Sequence, residues 1–158
     1  MSASLILFSR GRKTAADAGD TWNANAVFNN TGGNRIRIGE SSAGNVFHAD
    51  ATFTNTSATD IASRIQISRF ATANVTFNGT TTFTNHAPGG DIHISYDAGS
   101  STTFTGPVVI NSNAGVTNVE NWIANAGDVT FNGNVTISSS DRVSLSNGSG
   151  LATMSAGN

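Results

Sequence analysis

The stretches Val75-Thr76-Phe77-Asn78-Gly79-Thr80-Thr81-Thr82-Phe83 and Val129-Thr130-Phe131-Asn132-Gly133-Asn134-Val135-Thr136-Ile137 carry the reading of the whole chain. In each, two large apolar residues stand six positions apart across an Asn-Gly step. The same spacing recurs at Trp22/Phe28, Phe47/Phe53 and Phe104/Ile110. The five pairs begin at residues 22, 47, 77, 104 and 131, so the intervals are 25, 30, 27 and 27 residues. A fixed period of this length marks a repeat architecture, and it is sought before any local assignment.

Around each pair the pattern is that of short strands. Ile36 and Ile38, Ile65 and Ile67, and Ile92 and Ile94 flank a single polar residue, the alternation of a half-buried strand. Asn121 and Ile123 hold the corresponding place less clearly. Leu5 to Phe8 opens the first unit and Val143 with Leu145 opens the last. Between strands lie Asn-Gly, Gly-Gly, Ala-Gly and Ser-Gly steps, which supply positive φ for tight corners. No stretch shows an apolar stripe at helical spacing; Thr14 to Ala18 has room for one helical turn at most.

A unit of about 27 residues with three short strands cannot bury its apolar face alone. Stacked coil on coil, with parallel strands about 4.8 Å apart, it can. The expected fold is therefore all-β, a parallel β-solenoid of about five to six coils forming one domain over residues 1–158. Its units are residues 5–33, 34–62, 63–90, 91–118, 119–141 and a partial 142–158. Equivalent residues should stack into interior columns: Ile36, Ile65 and Ile92; Ile38, Ile67 and Ile94; Phe53, Phe83, Ile110 and Ile137; Phe47, Phe77, Phe104 and Phe131. Asn at corners is expected to form amide ladders along the stack. An antiparallel sandwich also has many short strands, but its strands need not repeat in sequence at a fixed offset.

Composition narrows the function classes. The 158 residues include 20 Thr, 19 Asn and 17 Gly but no Cys, which excludes a disulfide or thiolate-metal scaffold. Only 11% are charged, the net charge is −2 and Phe numbers nine, a profile unlike a disordered chain. That charge and a pI near 5.8 argue against nucleic acid as partner. No segment approaches the ~18 apolar residues of a membrane span, so no membrane insertion is expected. The basic cluster Arg10, Arg12 and Lys13 follows the first apolar residues, the reverse of a secretory signal, and reads as a solvated corner.

The outward positions of the Ile-containing sheet hold the charged and aromatic groups. One column should contain Arg35, Arg64, Asp91, Glu120 or Asn121, and Arg142. The next should contain Arg37, Gln66, His93, Trp122 and Ser144. Arg37, His93 and Trp122 would offer donors and an aromatic plane to a surface glycan; for Trp122 an interior place is the favoured one, because the fourth unit is shorter and leaves its register open. A hydrolase or lyase would draw on Asp91, His93, Asp97 and Arg64, but one acid without a second carboxylate beside it is poor material for glycan cleavage. A solvated charge ladder, Arg64 over Asp91, is the expectation, and no enzyme activity is expected. His48 and His86 stand at separate corners, so neither metal nor cofactor is expected. Thr52/Thr54, Thr80/Thr82/Thr84 and Thr103/Thr105 form Thr-x-Thr arrays of the kind that bind ice, though Pro107, Val109 and Asn134 interrupt them.

Units such as those at 75–83 and 129–137 resemble the repeats of autotransporter passenger domains and filamentous-haemagglutinin-type adhesins of bacteria. The resemblance spans about residues 20–145. It implies a right-handed β-helix, an extracellular or cell-surface location, and a role as adhesin, fibre or stalk. The expected partners are other copies of the chain, end to end, and surface glycans.

Overall fold

The computed structural model describes residues 5–9, 13–15, 19–33, 35–41, 43–57, 63–113 and 120–155, with residues 5–9, 13–15 and 120 described by their backbone. The first turn of chain holds β1 (Leu5–Ser9), β2 (Lys13–Ala15) and β3 (Thr21–Trp22). Next come β4 (Ala26–Asn30), β5 (Arg35–Ile38), β6 (Asn45–Phe47), β7 (Ala51–Asn55), β8 (Arg64–Ile67) and β9 (Asn74–Phe77). They are followed by β10 (Thr81–Asn85), β11 (Asp91–Ile94), β12 (Ser101–Phe104), β13 (Val108–Ser112), β14 (Glu120–Ile123) and β15 (Asp128–Phe131). The series closes with β16 (Val135–Ser139), β17 (Arg142–Ser144) and β18 (Ala152–Met154). Lys13–Ala15 is thus a strand where a helical turn had room, and residues 10–12 lie outside the described residues.

Every third strand pairs, always in parallel. The first sheet runs β1-β4-β7-β10-β13-β16, the second β2-β5-β8-β11-β14-β17 and the third β3-β6-β9-β12-β15-β18. The fold is a parallel β-solenoid with three sheets, and the repeat read from sequence is its register. Phe28, Phe53, Phe83, Ile110 and Ile137 are successive partners in the first sheet. Ile36, Ile65 and Ile92 are partners in the second, and Phe47, Phe77, Phe104 and Phe131 in the third.

The six-residue offset now has a geometric meaning. It carries the chain round the corner from the third sheet to the first, so two parallel aromatic columns adjoin with their ring planes near right angles. Along the third sheet Trp22, Phe47, Phe77, Phe104 and Phe131 stack face to face at 4.2–5.3 Å. Phe28, Phe53 and Phe83 do so along the first at 5.0 and 5.2 Å. Between columns the rings meet edge to face, as Phe53 and Phe77 do at 5.9 Å and 86°. Both arrangements are favourable for aromatic quadrupoles, and the strand spacing imposes the first. All the predicted column residues are buried save one. Ile137 is 39% exposed, because β16 is the outermost strand of its sheet and no described strand lies above it.

The corners depart from expectation in an instructive way. Gly33, Gly44, Gly89 and Gly99 have positive φ, and so does Gly148 of an Asn-Gly step, but Gly79 and Gly133 in the other Asn-Gly steps do not. Glycine is required there, and at Gly106, by closeness: a Cβ on Gly106 would lie 2.4 Å from the Gly79 carbonyl oxygen and 2.7 Å from that of Asn78. Those atoms are backbone of the neighbouring turn and cannot yield without opening the stack. Gly106→Ala should therefore cost about 2–3 kcal/mol, read as a lowered urea midpoint; an unchanged midpoint would refute the close-contact account. The corner after the second sheet uses left-handed backbone in four successive turns: Gly39, Ser68, Ser95 and Ala124 have φ of 62°, 49°, 51° and 56°. The two serines are held there by a buried chain in which Thr102 Oγ1 donates to Ser68 Oγ and contacts Ser95 Oγ, both at 2.9 Å.

An amide ladder closes the corner between the first and second sheets, as expected. Asn30 Nδ2 donates to Asn55 Oδ1 (3.0 Å), and Asn55 Nδ2 donates to Asn85 Oδ1 (2.9 Å) and Ser63 Oγ (3.2 Å). Asn85 Nδ2 ends the run on the Gly90 carbonyl at 2.6 Å. Where the next position becomes Ser112, an amide arrives from the other sheet: Asn121 Nδ2 donates to Ser112 Oγ at 3.0 Å.

Candidate functional site: the outer face of the second sheet

The alternation of β5, β8, β11 and β14 sends Arg37, Gln66, His93 and Trp122 outward in one column. Trp122 is therefore outward, not interior, and beside His93, and its ring stacks on the imidazole at 4.8 Å and 11°. Glu120 pairs with Arg142 in the flanking column, while Asn121 belongs to the interior, fully buried, with Oδ1 accepting from the Ile92 amide.

Outward does not mean solvated. Arg37 is 5% exposed, Gln66 3% and His93 2%. The predicted open face at Arg37 and His93 is thus covered, and Trp122 alone of the three is half-exposed. Side chains three residues further on contribute to the cover. Glu40 pairs with Arg37 and approaches Arg69 Nη1 at 3.9 Å, and Tyr96 stacks on His93 at 4.8 Å and on Trp122 at 5.6 Å. Within the column Arg37 Nε donates to Gln66 Oε1 at 3.2 Å. This second layer has a sequence signal, the aligned places Glu40, Arg69 and Tyr96, which strand alternation alone does not reveal.

Arg64, Asp91 and His93 come together as predicted. Arg64 Nε donates to Asp91 Oδ2 at 2.7 Å, and His93 Nε2 lies 3.5 Å from the same oxygen. Asp97 does not join them; it sits at the next corner, where its carbonyl accepts from the Ser100 amide and hydroxyl. Asp91 is therefore a carboxylate held by a guanidinium, next to an imidazole whose two nitrogens have no hydrogen-bond partner. No group of three or more metal-ligating side chains occurs among the described residues. No helix there is long and apolar enough to cross a membrane.

Burial holds the His93 pKa below its ordinary 6.5, against the pull of Asp91, and the charges of Arg64 and Arg35 add to the lowering. The unfolded chain then takes up a proton near pH 6.5 that the folded chain refuses until lower pH. Stability is full above that window and falls as the solution is acidified through it. The urea midpoint should drop between pH 7.5 and 5.5, and His93→Gln should flatten the dependence. A variant with the same slope as the parent would rule His93 out as its source.

Comparison with protein-family models, with curated proteins and with solved structures gives no match.

A second surface stands out at the end of the stack. In β16 to β18 the interior columns finish on Ile137, 39% exposed, and Met154, 43% exposed, with Leu151 at 61% beside them. These are the outermost strands of all three sheets, so an unpaired edge and an apolar face coincide.

Proposed function

We propose that the chain is a structural rod. In this reading it is an extracellular or cell-surface solenoid, right-handed as its resemblance to bacterial β-helix adhesins implies. It has five to six coils, and it assembles head to tail into a filament or forms part of a longer rod. The uncovered last strands carry the reading. Bare strand edges recruit other chains unless they are capped, and here the edge is joined to apolar side chains. Full burial of a side chain such as Ile137 or Met154 is worth up to about 1.5–3 kcal/mol, which favours a covered end. Repeat proteins meet the same need with polar terminal units, and Ile137, Leu151 and Met154 are not that.

Negative-stain electron microscopy over a concentration series tests this. Unbranched fibres that lengthen with concentration support it; discrete particles at every concentration overturn head-to-tail assembly. One observation favours a second reading, a glycan-binding module: Trp122 and Tyr96 are stacked, half-exposed aromatics on an otherwise polar face. Glycan-array binding that disappears in Trp122→Ala would support that reading, and retained binding would sink it.

A further inference from the structure

The two ends of the stack match each other strand for strand. The outer edge at one end is β16, β17 and β18, of five, three and three residues. At the other it is β1, β2 and β3, of five, three and two. Corresponding inward places agree in residue type in the first and third sheets, whereas in the second Lys13 holds the register position of Val143. Val135, Ile137 and Ser139 hold the register positions that Leu5, Leu7 and Ser9 hold in the first sheet. In the third sheet Thr153 and Met154 correspond to Thr21 and Trp22. Trp22 is half-buried, stacked on Phe47 at 4.2 Å, and ends the described aromatic column just as Met154 ends it at the opposite pole.

The geometry points to a second copy of this chain as the occupant of the exposed end, docked in continuing register. β16, β17 and β18 of one molecule pair in parallel with β1, β2 and β3 of the next. Ile137 then comes into register with Leu7, Ser139 with Ser9, Met154 with Trp22 and Thr153 with Thr21. This rests on the self-assembling reading and adds the register and the rotational setting. The contact is heterologous: each copy offers one end and receives the other, so it propagates along the axis without closing. Both edges are parallel-pairing edges of the same direction, so the ladder inside the molecule simply continues across the junction. Two tail ends meeting would instead have to pair antiparallel, out of step with the columns.

A cysteine pair tests it, and the native chain contains no Cys to interfere. Thr21 and Thr153 alternate with the interior Trp22 and Met154 and so face outward, at opposite ends of the stack. In register on adjacent strands their Cα atoms would lie within the roughly 4.4–6.8 Å that a disulfide spans. Thr21→Cys with Thr153→Cys should give a ladder of covalent oligomers on a non-reducing gel that collapses on reduction. Thr21→Cys with Thr136→Cys, which joins the third sheet to the first, should stay monomeric. Ile137→Arg with Met154→Arg should keep the β-sheet circular dichroism spectrum and lose the fibres. Fibres of the parent with no Thr21/Thr153 ladder, or with a Thr21/Thr136 ladder, overturn the register but leave the self-assembling reading standing. Dimers from Thr153→Cys alone point to tail-to-tail pairing and overturn it too. A parent that stays monomeric at every concentration overturns both readings together.

Discussion

Replacing Phe53 with alanine should cost about 3–5 kcal/mol, the largest loss expected of any single truncation in the core. Phe53 has no exposed surface. Phe28 and Phe83 stack on its two faces at 5.0 and 5.2 Å, and Phe47 and Phe77 meet it edge-on at 6.2 and 5.9 Å. Its neighbours cannot close over the hole. Each belongs to a strand held at the hydrogen-bonding distance by the strands on either side, so the cavity persists and the lost contacts are not recovered. Ile137→Ala is the control. It removes a residue of the same column, but one that is 39% exposed, and should cost less than about 1 kcal/mol. Urea unfolding followed by circular dichroism compares them; equal losses would mean that position along the stack does not govern the column. A broadened Phe53→Ala transition would have a natural cause, since the weakened turn separates two halves that interact only through it.

Asn55→Asp should be nearly as damaging at pH 7, by about 3 kcal/mol, and its pH dependence should run opposite to that of His93. The Asn55 amide is buried and used on both sides, accepting from Asn30 and donating to Ser63 and Asn85. A carboxylate keeps the first bond but sets an oxygen against Asn85 Oδ1, 2.9 Å from where the amide nitrogen was. Turning the Asn85 amide to answer it breaks the donation to the Gly90 carbonyl. The folded protein therefore keeps the new acid protonated, with its pKa raised above the roughly 3.9 of an unfolded aspartate. The folded chain then holds a proton that the unfolded chain releases, so stability falls as pH rises through that interval. Measured against the parent, the deficit should be smaller at pH 4 than at pH 7; a deficit independent of pH would show that the loss comes from packing alone.

Much of this was legible in the residues. The six-residue offset predicted which side chains stack, and Phe77/Phe83 and Phe131/Ile137 align in register as written. An amide ladder at corner asparagines was expected in kind, and the structure places it at Asn30, Asn55 and Asn85; the pairing of Arg64 with Asp91 followed from the alignment. The candidate site was legible only as a set of columns. Alternation places Arg37 and His93 outside the core, and outside was read as wet. Glu40 and Tyr96, three residues beyond them, fold back over that face, and no two-residue period contains that information. Asn121 was ambiguous by one residue, and one residue exchanges the two faces of a strand.

Repetition explains the division between the two sources. A solenoid writes the same environment into every turn, so the sequence by itself determined the strand order and the interior columns. Each was stated several times over in residues of matching type. The tertiary structure alone decided what happens where turns are not equivalent. It leaves Ile137 and Met154 open because β16 and β18 are the outermost described strands, although the same column positions are buried lower down. It demands glycine at Gly106 because the neighbouring turn's backbone passes 2.4 Å from where a Cβ would stand. Burial and close approach depend on what lies above and below a residue, and in a stacked fold those neighbours come from other turns, distant in sequence.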